Sequence, residues 1–151
     1  MAYFNGEFIP QSEVGIALHD SGFVFGATAT DLCRTYHGKP FLLDEHLARF
    51  HQSCHAIGIH PRLSFTEWTG ITDRLLQSNY RGHDLCIVML ATPGPLGYYA
   101  GVESGLPSGP TVIMHTFPVP FARYATWMLE GATLCVPEVQ HLSSKTISPG
   151  I

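Results

Sequence analysis

Residues 31–50 read Asp-Leu-Cys-Arg-Thr-Tyr-His-Gly-Lys-Pro-Phe-Leu-Leu-Asp-Glu-His-Leu-Ala-Arg-Phe and hold the signals for a strand, a tight turn and a helix. The strand ends at Tyr36, and His37-Gly38-Lys39 is typical of a hairpin turn, which we expect to lead into a short strand at 41–43. Asp44 is predicted to cap the helix that follows. This strand and this helix together carry the strongest polar cluster of the sequence.

Two helices are predicted from apolar residues at helical spacing. The first covers residues 45–57, and its stripe consists of Leu43, Leu47, Phe50, Cys54 and Ile57. The second begins at Ser64-Phe65-Thr66-Glu67, which matches a capping box, and ends before Gly82. Both helices therefore have one apolar side with which to cover a sheet.

Further strands lie before and after these helices. Asn5-Gly6 between apolar residues is a strong hairpin signal, because both residues tolerate positive φ. Residues 84–92 form a nearly continuous apolar run that predicts a strand buried on both faces, and 111–117 predict another. A further hairpin is predicted from residues 126–129 and 132–137. The fold class expected is α+β, with a mixed or antiparallel sheet and two helices.

Charge and hydropathy exclude several partners. Eight Lys and Arg residues against twelve Asp and Glu residues give a formal net charge of −4, with no basic run that would bind nucleic acid. No apolar run approaches the ~20 residues of a membrane-spanning helix. We expect a protein of the cytoplasm that binds neither nucleic acid nor membrane.

Arg34 and Arg49 are the candidate binding residues of this strand and helix. Arg34 and Tyr36 share one face of the strand because side chains alternate between faces. Arg49 lies with His46 at the edge of the apolar stripe, where a guanidinium suits a phosphate or a carboxylate. The alternative is a structural ion pair of Arg49 with Asp31 or Glu45, and the spacing leaves both open.

We expect no metal site. His51 and His55 stand four residues apart, as two zinc ligands on a helix do, but the adjacent glutamate of the metalloprotease motif is missing. A solvated helix face is the better interpretation of this pair.

Residues 93–110 predict a long loop, since nine of these eighteen residues are Gly or Pro. We expect it to form part of a substrate entrance and to be more mobile than its flanking strands. Tyr98 and Tyr99 are its candidates for substrate contact, and two ordinary surface aromatics are the alternative.

The order of these motifs resembles the N-terminal half of fold-type IV pyridoxal-phosphate (PLP) enzymes. The resemblance rests on Gly22-Phe-Val-Phe-Gly26, Asp31, the run 34–41 and Glu45-His-Leu-Ala-Arg-Phe50. The family includes branched-chain aminotransferases, D-amino acid aminotransferases and aminodeoxychorismate lyase. Thr30 stands where many members carry an aromatic residue, and Thr92-Pro93-Gly94 where many carry an Arg-Gly pair after the buried strand, so the substrate does not transfer by analogy.

The resemblance implies a function and roles for individual residues. Arg49 matches the arginine that binds the cofactor phosphate, and Arg34 lies where the family lines the substrate side. The implied activity moves an amino group between a branched-chain or D-amino acid and a 2-oxo acid in a homodimer. Aminodeoxychorismate lyase chemistry and a non-catalytic small-molecule-binding domain are the alternatives.

The resemblance also implies a domain organisation and the position of a lysine. Residues 1–117 would be a small domain, 118–123 a linker, and 124–151 the truncated start of a second, cofactor-binding domain. The lysine that carries the cofactor is expected directly after Ile151, so the catalytic lysine would be neither Lys39, in a hairpin, nor Lys145, in a polar run. Without that lysine, the 151-residue chain is expected to be inactive.

Overall fold

The computed structural model describes residues 1–100 and 109–136. The chain divides into two compact units, Met1–Val119 and Pro120–Ile151. The first unit is built on one six-stranded sheet. In the described part of the second unit, the chain forms a helix, α4 (Phe121–Glu130).

The sheet has the strand order β2-β1-β6-β5-β3-β4, and all neighbouring strands are antiparallel. Its strands are β1 (Ala2–Phe4), β2 (Glu7–Ile9), β3 (Ala29–Tyr36), β4 (Lys39–Pro40), β5 (Leu85–Thr92) and β6 (Thr111–Pro118). The helices of this unit are α1 (Ser21–Phe25), α2 (Leu43–Ala56) and α3 (Phe65–Asn79). The predicted α+β class is confirmed.

Both predicted hairpins of the first unit form around two residues of positive φ. Asn5 and Gly6 have φ of 48° and 103° between β1 and β2, and His37 and Gly38 have φ of 51° and 75° between β3 and β4. Positive φ at both central positions gives a turn whose twist matches that of the strands. These turns set the register of the strand pairs they join.

Two details at the start of α2 were predicted wrongly. The return strand is Lys39–Pro40 and not 41–43, and the helix begins at Leu43. Leu42 is the N-cap residue, in a left-handed conformation with φ 50°, so Asp44 lies in the first turn and does not cap. The carboxylate of Asp44 still stabilises α2, because a negative charge in the first turn interacts favourably with the positive end of the helix dipole.

The core lies between one face of the sheet and the helices α2 and α3. The predicted capping box of α3 is confirmed, with Ser64 and Glu67 bonded reciprocally. The apolar stripe of α2 is buried from Leu47 to Cys54, whereas Ile57 is exposed. Other side chains buried in this core are Trp68, Leu75, Cys33, Ile87, Met89 and Met114.

The predicted hairpin over 126–137 is wrong, because Thr126–Leu129 lies inside α4. Pro120 directly before the helix and Gly131 directly after it, with φ 77°, are the start and stop signals of a helix. The Thr126 hydroxyl donates to the Ala122 carbonyl at 3.1 Å, as serine and threonine do within helices. Residues 132–136 of the second predicted strand form no strand in the structure, and residue 137 lies outside the described residues.

No helix in the described part of the chain has the length and apolar character needed to cross a membrane.

The base of the long loop 93–110 is held by close backbone contact between Gly94 and Gly109. Gly94 has φ 95°, and a Cβ atom built on it would overlap the carbonyl oxygen of Gly109. The Ser21 hydroxyl donates to the Gly94 carbonyl at 2.8 Å. Residues 101–108 lie outside the described residues, and the predicted mobility of the whole loop stays a prediction.

We predict that Gly94→Ala destabilises the fold by more than about 3 kcal/mol, because it adds a backbone clash to the strain of positive φ. The matched control is Gly58→Ala, at φ 73° with no atom within 4 Å of its Cβ, which should cost only about 1–2 kcal/mol. Urea unfolding of both variants measures the difference. Equal losses in the two variants would contradict the close contact.

His51 is an imidazole enclosed between α2 and α3, so the expected solvated helix face is found for His55 and is wrong for His51. Its ring stacks on Phe65 with centroids 5.2 Å apart, and its edge contacts Trp68. Its Nε2 is buried without a hydrogen-bond partner among the described residues. Burial lowers the pKa of His51.

We predict that His51 makes the fold less stable in mild acid. The unfolded chain takes up a proton near the ordinary histidine pKa of ~6.5, before the native state does, so the free energy of unfolding falls as pH drops below that value. His51→Phe should reduce this fall in urea titrations compared at about pH 7.5 and 5.5. The exposed His55 gives the control, His55→Phe, and an unchanged fall in His51→Phe would refute the assignment.

Candidate functional site

Asp31 is a carboxylate in the buried register of β3. Burial alternates along this strand, and Ala29, Asp31, Cys33 and Thr35 all point to the side covered by the helices. The Asp31 side chain is only 3% exposed. A buried carboxylate requires partners, because water no longer solvates its charge.

Those partners come from one face of α2. Arg49 donates to Asp31 through Nε at 2.6 Å and through Nη2 at 2.8 Å, in a bidentate ion pair. His46 Nδ1 lies 2.7 Å from Asp31 Oδ1 and 3.0 Å from Arg49 Nη2. The i, i+3 spacing of His46 and Arg49 brings both side chains to the same carboxylate.

The cluster keeps Asp31 ionised. Burial alone would raise the pKa of Asp31, but the hydrogen bonds and charges of Arg49 and His46 outweigh burial and hold that pKa below its ordinary value. The hydrogen bond and charge of Asp31 in turn raise the pKa of Arg49. The ion pair thus stabilises the fold at neutral pH, and this stabilisation is lost only as acid protonates Asp31, below pH ~4.

The Arg49 side chain extends from the buried carboxylate of Asp31 to the protein surface. Its side chain is 63% exposed although two of its nitrogens contact buried Asp31. Its remaining nitrogen, Nη1, has no hydrogen-bond partner among the described residues. Because a guanidinium has five N–H groups in a rigid plane, fixing one edge also fixes where the others point.

One of the two alternatives for Arg49 is therefore observed. The ion pair forms with Asp31, and it leaves Nη1 open to a ligand. Binding of a phosphate by Arg49 stays a prediction with which this geometry is compatible. Sequence reasoning did not foresee His46 as a second partner of Asp31, and the signal was an acidic residue between Ala29 and Cys33 in the buried register of a strand.

Arg34 lies on the opposite face of β3 from Asp31, as the period of two requires. Its guanidinium stands 4.0 Å from the centroid of the Tyr36 ring, so the predicted shared face of these two residues is confirmed. Its Nε also donates to the Thr35 carbonyl at 3.2 Å. Arg34 and Arg49 thus belong to different faces, and contact of Arg34 with substrate stays a prediction.

Tyr98 and Tyr99 lie in a short 3-10 helix, Gly97–Ala100. Tyr98 is 89% exposed, and Tyr99 contacts both Tyr98 and Phe25 in edge-on geometry. The two tyrosines therefore form an exposed aromatic cluster with Phe25, and their contact with substrate stays a prediction.

The two lysines fall in different parts of the structure. Lys39 is exposed in β4, as expected of a hairpin residue. Lys145 and the segment up to Ile151 lie outside the described residues, so the expectation of a lysine directly after Ile151 stays a prediction.

Comparison with known proteins gives relatives in sequence and in structure. D-alanine aminotransferase of Bacillus licheniformis is 33% identical over 119 residues, which cover 77% of this chain and 40% of that protein. The Staphylococcus aureus enzyme of the same name is 35% identical over 77 residues, covering 51% and 27%. The chain thus spans less than half the length of the curated relatives it matches.

Solved structures share the fold. The branched-chain amino acid aminotransferase of Escherichia coli superposes with a TM-score of 0.66 at 22% identity, over 78% of this chain and 39% of that one. The PLP-bound form of a hypothetical aminotransferase from Mycobacterium tuberculosis gives a TM-score of 0.64 at 20% identity, over 85% and 43%. At these identities the likeness concerns the fold alone.

The family assignment rests on the length of the match as well as on the relatives. The family model described as amino-transferase class IV matches residues 28–147, and this range includes Asp31, His46 and Arg49. The chain belongs to the class IV aminotransferases.

Proposed function

We propose that this chain forms part of a PLP-dependent aminotransferase in which Arg49 binds the phosphate of the cofactor. The observation that carries the proposal is the bidentate Asp31–Arg49 pair, which holds an exposed guanidinium in one orientation. A dianionic phosphate is a ligand that such a fixed group binds well, because charge-assisted hydrogen bonds form without further loss of side-chain freedom.

The residues present fit one part of the cofactor. Nη1 of Arg49 offers N–H donors to phosphate oxygens. Asp31 fixes the other edge of the guanidinium, and His46 contacts the same carboxylate and holds it in place. When bound, PLP supplies an electron sink for the negative charge that develops at the substrate Cα. The role of this chain's own residues is to anchor and orient the cofactor at the end away from that reaction.

The substrates proposed are an amino acid and a 2-oxo acid. The two relatives described above, which are 33% and 35% identical, carry the name D-alanine aminotransferase, and this favours a D-amino acid donor over a branched-chain one. Arg34 suits a substrate carboxylate. Tyr98 and Tyr99 offer aromatic contacts at the substrate entrance that we propose for the loop 93–110. Homodimeric assembly and location in the cytoplasm belong to the same proposal.

We predict that Arg49→Gln in the full-length enzyme weakens PLP binding by about tenfold to a hundredfold, the effect of losing a charge-assisted contact. The variant should also lose stability, because it leaves the buried carboxylate of Asp31 without its ionic partner. Cofactor absorbance titration and urea unfolding measure the two effects separately. The control is Arg81→Gln, which changes an exposed arginine outside the cluster.

The double variant Asp31→Asn with Arg49→Gln separates a phosphate anchor from a structural ion pair. Removing both charges should restore much of the stability, since no unpaired buried charge remains. PLP affinity should stay low, because the guanidinium is still absent. Recovery of PLP affinity together with stability would show that Arg49 acts only through the fold and would overturn the proposal.

A further inference from the structure

A cavity of about 540 Å³ lies in the first unit and shares no residue with the Asp31–Arg49 cluster. Its walls come from the β1–β2 turn, the segments 15–20 and 62–63, Pro95, and residues 109–112. This volume falls within the range of about 300–1,000 Å³ that is typical of small-molecule sites. Neither the ion pair nor the aromatic loop cluster uses it.

The inner wall of the cavity is apolar. Tyr3 and Val112 line it and are each 6% exposed, so they form a rigid floor that belongs to the core of the sheet. Phe4 and Leu63 extend this wall, and Ile16 is 44% exposed at the mouth. Such a wall favours a hydrophobic body, because binding removes apolar surface of both partners from water.

The available charge at this cavity is positive. Arg62 is exposed and makes no ion pair or hydrogen bond among the described residues, and the half-buried His19 adds a second N–H donor. The acidic lining residue, Asp20, is 1% exposed. Its two carboxylate oxygens accept from the Gly22 amide at 2.7 Å and from the Thr111 hydroxyl at 2.6 Å, so they are already satisfied by the protein.

We infer that this cavity binds a small amphiphilic carboxylic acid, with its hydrophobic body against Tyr3 and Val112 and its carboxylate on Arg62. A guanidinium at the mouth and an apolar floor match the two ends of such a molecule, since Arg binds carboxylates in bidentate geometry. An amine of the same shape would meet like charge at Arg62. The inference stands apart from the proposed aminotransferase activity, because it uses none of the residues that bind PLP or the amino acid.

The test measures binding of para-trifluoromethyl-phenylpropanoic acid and of its primary amide to the full-length protein by fluorine NMR. The acid should bind at least about tenfold more tightly than the amide, which has the same body without the charge. Arg62→Gln should abolish this preference by weakening the acid alone, and Arg81→Gln should leave it intact. The double variant Asp31→Asn with Arg49→Gln, which leaves no unpaired buried charge, should not change the affinity for the acid, and this separates the cavity from the proposed cofactor site.

Equal affinity of acid and amide, or an unchanged affinity for the acid in Arg62→Gln, would overturn the inference. Loss of acid binding in the folded double variant Asp31→Asn with Arg49→Gln would also overturn the inference, because the acid would then occupy the cofactor region. Should Arg62→Gln fail to fold, Ile16→Trp tests the site by filling its mouth, and binding that survives this change contradicts the inference. Sedimentation velocity measures whether the protein self-associates. If self-association prevents binding of the acid, a second copy of the chain covers the cavity and the inference is wrong.

Discussion

The ionised carboxylate of Asp31, buried in the register of β3 that faces the helices, is the constraint on which the rest of the site depends. Every other residue on that side of the strand is apolar or a threonine, so the charge has to be met from the helix above it. Arg49 and His46, one turn apart on α2, are the groups that meet it. The position and rotation of α2 on the sheet therefore follow from electrostatics as well as from apolar packing.

The same interaction links the core of the protein to its surface. Leu47 and Phe50 are fully buried on one side of α2. Arg49 lies between them in the sequence but beside Phe50 on the helix surface, and it reaches from the edge of the buried side to solvent. A long side chain can make this connection because its carbon stem packs on apolar surface while its charged end remains near water. An exposed arginine would ordinarily sample many rotamers, and here two hydrogen bonds to a rigid strand remove that freedom.

The sequence predicts those parts of the fold that depend on local signals. Asn5-Gly6 and His37-Gly38 give their hairpins because the turn geometry is encoded in residues that tolerate positive φ, and Ser64 with Glu67 gives the start of α3 through a local capping box.

Where local signals conflict, the prediction fails. Asp44 is a good capping residue, yet the helix begins one residue before it, at Leu43, and Leu42 takes the N-cap position in a left-handed conformation. The segment 121–130 contains aromatic residues and a threonine, which favour strands, but six of its ten residues are Ala, Arg, Met, Leu or Glu, which favour a helix. Pro120 and Gly131 add the start and stop signals. In the candidate site, the spacing of His46 and Arg49 was readable, but the convergence of both on Asp31 depends on how α2 crosses β3, which no local pattern encodes.

Stability alone does not explain an ionic cluster at this place. Replacing a buried ion pair with apolar residues of similar volume is often neutral or stabilising, because desolvation of the charges offsets most of their attraction. The neighbours of Asp31 in the buried register, Ala29 and Cys33, show that this side of β3 accommodates small apolar side chains without difficulty. A leucine or methionine on α2 would then cover the strand as well as Arg49 does. The cluster differs from such an apolar contact in one respect, which is that it presents a cation of fixed direction at the surface. This is the property that the binding of an anion requires, and it connects the choice of a carboxylate in the core with the phosphate-binding role proposed for Arg49.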